Sequence, residues 1–189
     1  MRSIYWGWPG ASTISRFLDE QRGAPLSYGP AGLTRSPASQ RYQADMNAVE
    51  LGRGREVFER ARRALTEWRM FRLGWVRVLP ERPVIQEGET VCVAAGTLGL
   101  WFLNACRVVY LVDEADRFGF AYGTLQAHAE EGEELFLVEH DRADDSVSYR
   151  IAALSRPRAW HARLGYPFTR ALQRRFARDS MKAMAEAVR

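Results

Sequence analysis

The sequence contains few of the residues from which metal sites and disulfide frameworks are built. There are two cysteines and three histidines among 189 residues. Cys92 and Cys106 lie in apolar, strand-like segments without a paired motif, which predicts buried, reduced thiols and a cytoplasmic location. His128, His140 and His161 share no recognised spacing with a second ligand. We therefore expect neither a metal site nor a cofactor.

Long uninterrupted apolar runs are also missing. The most apolar segment, 91–112, is long enough to cross a bilayer, but Thr97, Asn104 and Arg107 interrupt it. Because a charged side chain is costly in a bilayer, the two β-branched ends of this segment favour two buried strands. The first ten residues, MRSIYWGWPG, have no apolar run of the kind found in a secretory signal. The sequence therefore predicts neither a membrane span nor a signal peptide.

A strong excess of positive charge is absent as well. The 27 basic and 23 acidic residues give a formal net charge of +4. The basic residues that occur late in the chain are Arg156, Arg158, Arg163, Arg170, Arg174, Arg175 and Arg178. No recognised nucleic-acid motif accompanies them, so we interpret them as a solvated helix face and expect no nucleic-acid partner.

What the sequence does contain is the composition of an ordinary globular protein, 47% hydrophobic and 26% charged. Residues 1–40 are rich in Gly, Pro and Ser, which predicts an irregular arm with a short helix at Ser12–Gln21. The apolar face of that helix is Ile14, Phe17 and Leu18. Residues 41–189 are expected to form the folded domain.

Periodicity within residues 41–189 predicts an α+β fold. Apolar residues recur at helical spacing from Val57 to Phe71 and again from Phe168 to the C-terminus. We interpret Ser155 as a helix N-cap near Pro157, and we expect Pro167 to break the helix. The predicted strands are Arg41–Leu51, Gly74–Leu79, Thr90–Ala95, Arg107–Val112, Phe118–Leu125, Glu134–His140 and Ser146–Leu154.

This order of elements favours a curved antiparallel sheet. Strands joined by short links form an antiparallel meander, and the long terminal helix is available to cover one face of it. A curved sheet that wraps a long C-terminal helix commonly leaves a cavity between them.

One predicted strand, Phe118–Leu125, has two contrasting faces. Phe118, Phe120, Tyr122 and Thr124 lie on one face, and Gly119, Ala121 and Gly123 lie on the other. We interpret the glycine face as the inner one, because a bare face leaves room for a packed helix or a ligand.

Several residues are candidates for a site in that cavity. His128 and Glu134 would form an acid–base pair, with Tyr122 or Arg107 orienting a substrate; the alternative for His128 is a turn histidine in a solvated acidic loop. Arg77 and Arg107 would anchor a carboxylate if they face inward, since a buried Arg requires a partner. The remaining candidates for ligand contact are Trp75, Trp101, Tyr110, Phe120, Tyr122, Gly123, Phe136, Tyr149, Phe168, Leu172 and Phe176, and ordinary core packing is the alternative for the aromatic ones.

Three local strings resemble an uncharacterised family found in bacteria and plants. They are LGRGREVFERARRALTEWRMFRLGW (51–75), RFGFAYGTLQAHAEEGEELF (117–136) and SRPRAWHARLGYP (155–167). The resemblance extends over about residues 25–189. The order of elements is similar to the START-like superfamily, also called SRPBCC or helix-grip. That similarity implies a hydrophobic cavity gripped by the C-terminal helix, and members that bind lipids or act as enzymes.

Three functions remain open on these grounds. The first is a soluble protein that binds a small hydrophobic or lipid-like ligand in the cavity. The second is a cyclase- or hydrolase-like enzyme that uses the same cavity, with no GxSxG string to support serine chemistry. The third is a protein-interaction module that uses the basic C-terminal helix through Arg174 and Arg175.

Overall fold

The computed structural model describes residues 2–35, 41–158 and 166–189, and the side chains of 166 and 167 are outside that description. The helices are α1 (Ala11–Arg22), α2 (Arg55–Thr66) and α3 (Tyr166–Ala187), with short 3₁₀ turns at Leu33–Arg35 and Arg69–Phe71. The strands are β1 (Ile4–Trp6), β2 (Gln43–Arg53), β3 (Val76–Leu79), β4 (Thr90–Thr97), β5 (Leu100–Asp113), β6 (Arg117–Thr124), β7 (Glu130–His140) and β8 (Ser146–Pro157).

The strands form one antiparallel sheet in the order β2-β8-β7-β6-β5-β4-β3, and β1 pairs with β5 beside this path. The predicted α+β class and the meander from β3 to β8 are confirmed. The register of β5 against β6 shifts between Val108 and Tyr110. This bulge changes which side chains of β5 face each side of the sheet.

The concave side of the sheet holds the main core and is covered by α2 and α3. Gly52 and Gly54 both have positive φ angles of 142° and 90°, and they turn the chain from β2 directly into α2. The helical spacing of α2 then buries Phe58, Ala61 and Leu65 against the sheet. The largest fully buried side chains of this cluster are Phe58, Trp68, Phe71, Phe120, Phe136 and Tyr149. Between Tyr149 and Ser180, a hydroxyl hydrogen bond of 3.0 Å ties α3 to β8.

The convex side carries a second, smaller core that includes the N-terminal arm. Ile14, Phe17 and Leu18 of α1 are all buried there, as their spacing predicts. The Arg107 guanidinium on β5 donates hydrogen bonds to the carbonyl oxygens of Gln21, Arg22 and Ala24 at 3.1, 2.6 and 2.9 Å. Because these carbonyls lie at or just beyond the end of α1, the arginine caps the helix and fastens it to the sheet.

A buried carboxylate fastens the next part of the arm. The Glu133 side chain on β7 is 2% exposed. It accepts hydrogen bonds from the Tyr28 hydroxyl at 2.7 Å and from the backbone N–H groups of Gly32 and Thr34 at 2.8 and 2.9 Å. Ionised acceptors form strong hydrogen bonds, so Glu133 holds the 3₁₀ turn at Leu33–Arg35 against the convex face.

Several local predictions were wrong in their boundaries. The segment Glu130–Glu133, expected in a loop, begins β7, and Ser155–Pro157, expected to begin a helix, ends β8. Both segments pair with each other, Glu130 with Pro157 and Gly132 with Ser155, so the ladder extends further than the alternation of side chains indicates. Strand β1 was not predicted. His161 and Arg163 lie outside the described residues.

Candidate functional site

A cavity of about 460 Å³ separates the N-terminal half of α3 from the concave face of the sheet. Small side chains on the sheet, among them Ala95 and Ala153, leave this space open beneath the helix. The apolar residues that line it are Phe71, Trp75, Val76, Val93, Ala95, Phe102, Ile151, Ala153, Phe168, Leu172, Phe176 and Ala177. An apolar cavity of this size is typical of small-molecule sites.

The Glu134 carboxylate is the most unusual group in this cavity. It accepts a hydrogen bond of 2.6 Å from the Tyr122 hydroxyl on the neighbouring strand β6. Burial raises the pKa of Glu134 to about 7, and the nearby carboxylates of Glu130 and Asp45 add to the increase. The Tyr122 hydrogen bond opposes this shift. The pKa of Tyr122 is itself raised by burial and by the charge of Glu134, so its phenol is protonated.

A set of four polar side chains, here called the α3 latch, lines one part of the cavity and links α3 to the sheet. It consists of Asp45, Arg170, Gln173 and Glu130. The Arg170 guanidinium binds both carboxylate oxygens of Asp45 on β2, with one N–O distance of 2.6 Å, and donates to the Gln173 side-chain oxygen at 2.7 Å. The Gln173 amide donates to Glu130 on β7 at 2.6 Å. The latch thus joins α3 to the two strands β2 and β7.

His128 lines the cavity but is not paired with Glu134. Its Nδ1 lies 3.0 Å from both the backbone nitrogen and the carbonyl oxygen of Glu130, so the Glu130 backbone is its hydrogen-bond partner. Burial lowers the pKa of His128 to about 4, so the imidazole is neutral at physiological pH. The expected His128–Glu134 acid–base pair is therefore wrong in its geometry, and Tyr122 is the hydrogen-bond partner of Glu134.

The structure brings together some of the predicted ligand-contacting residues and separates others. Trp75, Tyr122, Phe168, Leu172 and Phe176 line the cavity. Phe120, Phe136 and Tyr149 are fully buried in the main core, away from the cavity walls. These three residues therefore have the ordinary core packing that was the alternative interpretation.

The other predicted contacts lie on the convex side of the sheet. Arg107 caps α1, and the exposed Arg77 guanidinium stacks 5.0 Å from the centre of the Trp8 ring. Trp101 packs edge-on to Trp8. Tyr110 exchanges a hydrogen bond of 2.7 Å with the Thr34 hydroxyl. The N-terminal arm supplies the contacts of these four side chains on the convex side. Neither arginine therefore anchors a carboxylate in the cavity.

Gly123 also belongs to this convex group, which reverses the predicted orientation of β6. A Cβ atom at Gly123 would collide with the ring and hydroxyl of Tyr28, so the bare face accommodates the arm. The aromatic face, with Phe120 and Tyr122, is the one that faces the concave core and cavity.

Sequence reasoning did not predict the joint role of the α3 latch residues, Asp45, Glu130, Arg170 and Gln173. The i,i+3 spacing of Arg170 and Gln173 places both on one face of α3, which is a weak signal for a joint role. Their partners lie 43 to 125 residues away in the chain, and nothing local indicates them.

The predicted basic face of α3 is partly used within the molecule. Arg175 pairs with Asp179 at 3.4 Å and lies 4.3 Å from the centre of the Trp75 ring. Trp75 in turn donates from its indole nitrogen to Asp179 at 3.1 Å. Arg174 is exposed at the edge of the cavity.

Residues 2–35, 41–158 and 166–189 contain no group of three His, Cys, Asp or Glu side chains that could hold a metal ion. Over the same residues, no helix has both the length and the apolar character needed to cross a membrane.

Comparison with known proteins identifies the family. The model of a family described as "Domain of unknown function (DUF1990)" matches residues 27–183. The chain belongs to the DUF1990 family. Similar proteins described as UPF0548 occur in Dictyostelium discoideum (33% identity over 95% of this chain and 93% of the relative) and in Deinococcus radiodurans (33%, 95% and 96%). Another is found in Arabidopsis thaliana, with 36% identity over 74% of this chain and 70% of the relative.

Solved structures share the fold of this DUF1990 protein. A hypothetical protein from Helicobacter pylori aligns with a TM-score of 0.59 and 12% identity, over 87% of this chain and 98% of the other. Ara h 8.0201 aligns with a TM-score of 0.52 and 13% identity, over 78% and 97%. A norcoclaurine synthase mutant from Thalictrum flavum aligns with a TM-score of 0.51 and 9% identity, over 78% and 94%. The predicted family and START-like fold are confirmed, and identities this low show the fold alone.

Proposed function

We propose that this DUF1990 protein binds a small, largely hydrophobic molecule with one polar end in the cavity beneath α3. The observation that carries the proposal is the combination of an apolar cavity of about 460 Å³ with the Glu134–Tyr122 pair inside it. Protein cores are normally packed to high density. A cavity of this size lacks the van der Waals contacts that a filled core would make, and this lowers stability. Few polar groups in an apolar cavity are typical of a site that orients a ligand.

The state of the cysteines supports action in a reducing compartment, and we propose a cytoplasmic location. Cys92 and Cys106 are both free and buried. Burial raises the pKa of each thiol, to about 12 for Cys92, so neither is a reactive thiolate.

The binding proposal is tested by filling the cavity. Ala153 lines the cavity from β8, and the neighbouring Ala152 points to the opposite face of the sheet beside Leu135 and Met46. Ala153→Phe occupies the space, and Ala152→Phe is the matched control. A panel of fatty acids, sterols and aromatic compounds is screened by thermal shift, and native mass spectrometry detects ligand retained from the source organism.

We expect ligands of the wild-type protein to be retained by Ala152→Phe and to lose at least tenfold in affinity for Ala153→Phe. The contrary result is a wild-type protein that carries no co-purified molecule and binds no member of the panel, or ligands that bind both variants equally.

An acid–base reaction in the same cavity is the second candidate function. The Glu134 carboxyl favours it, because a general acid or base works best when its pKa is near the operating pH. In that case Glu134→Gln abolishes turnover of a cavity ligand while leaving its binding measurable. Chemically unchanged ligand recovered from the wild-type protein would argue for binding alone.

A further inference from the structure

The carboxylates around the cavity differ in how they are neutralised. Asp45 forms a two-point ion pair with Arg170. Glu130 accepts from the neutral Gln173 amide and from the Ser155 hydroxyl. Both carboxylates belong to the α3 latch, and both accept hydrogen bonds from side chains of the protein.

Glu134 lies inside the cavity, and none of the described side chains gives it a cationic partner. Within residues 2–35, 41–158 and 166–189, no basic nitrogen is found within 4 Å of its carboxylate, and its hydrogen-bond donor is the neutral Tyr122 phenol. The charged groups that act on it are the carboxylates of Glu130 and Asp45. Removing a carboxylate from water without a cation is unfavourable, and two like charges nearby make it more so.

The other elements packed around Glu134 do not change this balance. Tyr149 on β8 and Cys106 on β5 are neutral, because burial raises the pKa of each. His128 is neutral as well. From α3, Arg170 binds Asp45, and Arg174 is exposed at the cavity edge. Among the described residues, the interior of the cavity therefore combines mostly apolar walls with one carboxylate, Glu134, that no cation compensates.

We propose that the polar end of the bound molecule is a protonated amine that forms an ion pair with the Glu134 carboxylate. This inference rests on the proposed function, because it names the chemical class of the cavity ligand. A primary ammonium group supplies both the missing positive charge and hydrogen-bond donors for the carboxylate oxygens. The hydrocarbon part of the molecule lies against Trp75, Leu172 and Phe176. An acidic ligand would bring another negative charge next to Glu134 and is disfavoured.

The raised pKa of Glu134 gives the ion pair a pH dependence. The carboxyl ionises as the pH rises through about 7, whereas an alkylamine, like a lysine side chain, stays protonated up to about pH 10. Affinity for an amine is therefore expected to increase between pH 5.5 and 8.5. Affinity for an uncharged alcohol is not expected to increase over the same pH range.

The test compares three probes of equal length, n-decylamine, n-decanol and decanoate, each below its aggregation concentration. Binding is measured by calorimetry with the wild-type protein, Glu134→Gln and the matched control Glu87→Gln, whose side chain is exposed. Circular dichroism confirms that each variant is folded. We expect the amine to bind the wild-type protein at least tenfold more tightly than the alcohol at pH 8. The preference should fall to less than threefold in Glu134→Gln and remain in Glu87→Gln.

The outcomes separate the two proposals. Decanol or decanoate binding at least as tightly as decylamine, or an amine preference that survives Glu134→Gln, overturns the amine assignment and leaves the hydrophobic site standing. Failure of all three probes to bind the wild-type protein at any pH counts against both proposals.

Discussion

At the scale of single residues, the protein shows how the surroundings of a side chain determine its chemistry. Glu133 and Glu134 are adjacent on β7 and point to opposite sides of the sheet. Glu133 is surrounded by donors from the arm, including Tyr28 and two backbone N–H groups. Glu134 has the Tyr122 hydroxyl in an apolar cavity, and its pKa is raised to about 7. The first residue stabilises the fold, whereas the second is available to a ligand.

We expect the raised pKa of Glu134 to reduce stability as the pH increases. The folded protein binds the proton more tightly than the unfolded chain, so the stabilisation is complete below the ordinary pKa of 4.5 and lost as pH rises to about 7. The loss amounts to about 3 kcal/mol. In Glu134→Gln this loss is removed, and urea denaturation between pH 4 and 8 measures the difference.

His128 contributes the opposite trend and must be separated from Glu134. Its folded-state pKa of about 4 is lower than its ordinary 6.5, so its contribution to stability increases with pH across that interval. The informative quantity is therefore the difference in unfolding free energy between the wild-type protein and Glu134→Gln. A constant difference across the whole pH range would show that the Glu134 carboxyl titrates normally.

At the scale of secondary-structure elements, α3 is held at its two ends by different interactions. Its C-terminal half is packed into the main core by Met184, together with Val188 just after the helix, and the Ser180 hydroxyl shares a hydrogen bond with Tyr149. Its N-terminal half covers the cavity and is joined to the sheet by the α3 latch. Because the cavity lies beneath the N-terminal half of α3, we expect the latch to contribute more than apolar packing to keeping that half against the sheet.

We expect Arg170→Met to loosen the N-terminal half of α3. The substitution leaves the Asp45 carboxylate without its guanidinium and costs about 1–3 kcal/mol. Amide hydrogen exchange over residues 168–177 should accelerate at least tenfold, with little change over 180–187. Arg178→Met is the control, since its side chain is 72% exposed on the same helix. Equal exchange rates in the two variants would mean that the latch does not restrain the helix.

At the scale of the whole molecule, one sheet serves two cores. The concave face packs against α2 and α3, and the convex face packs against α1 and the segment up to Arg35. Strands β4 and β5 contribute to both, with Val91 and Val108 on one side and Cys92 and Leu103 on the other. Because the two cores share strands, we expect the arm and the domain to unfold together.

We expect Phe17→Ala to lower the melting temperature of the entire molecule by about 10 °C. Removing a buried phenylalanine costs about 3–5 kcal/mol, and 1 kcal/mol shifts Tm by about 2–4 °C in a protein of this size. Calorimetry should show one transition, and the exposed neighbour Arg16→Ala should melt within 2 °C or so of the wild-type protein. A separate low-temperature transition, with the main Tm unchanged, would show that the arm folds independently.

The sequence by itself determined the local elements. Helical spacing predicted the buried face of α2 and of α1, and the residue pattern predicted the presence of seven of the strands, although β5, β7 and β8 extend beyond their predicted bounds. These signals are reliable because the period of a helix or strand is set by backbone geometry, which each segment carries on its own. The terminal helix over a meander, and hence the α+β class, followed from the order of those elements.

Only the tertiary structure decided which face of each strand is inward and which polar groups meet. Alternation divides β6 into two faces but does not say that the glycine face receives Tyr28. The bulge between Val108 and Tyr110 then places Tyr110 on the same convex side as Arg107, against the simple period of two. The pairing of Arg170 with Asp45 likewise joins residues 125 positions apart. Such choices depend on the packing of distant segments, because each segment alone is compatible with either face.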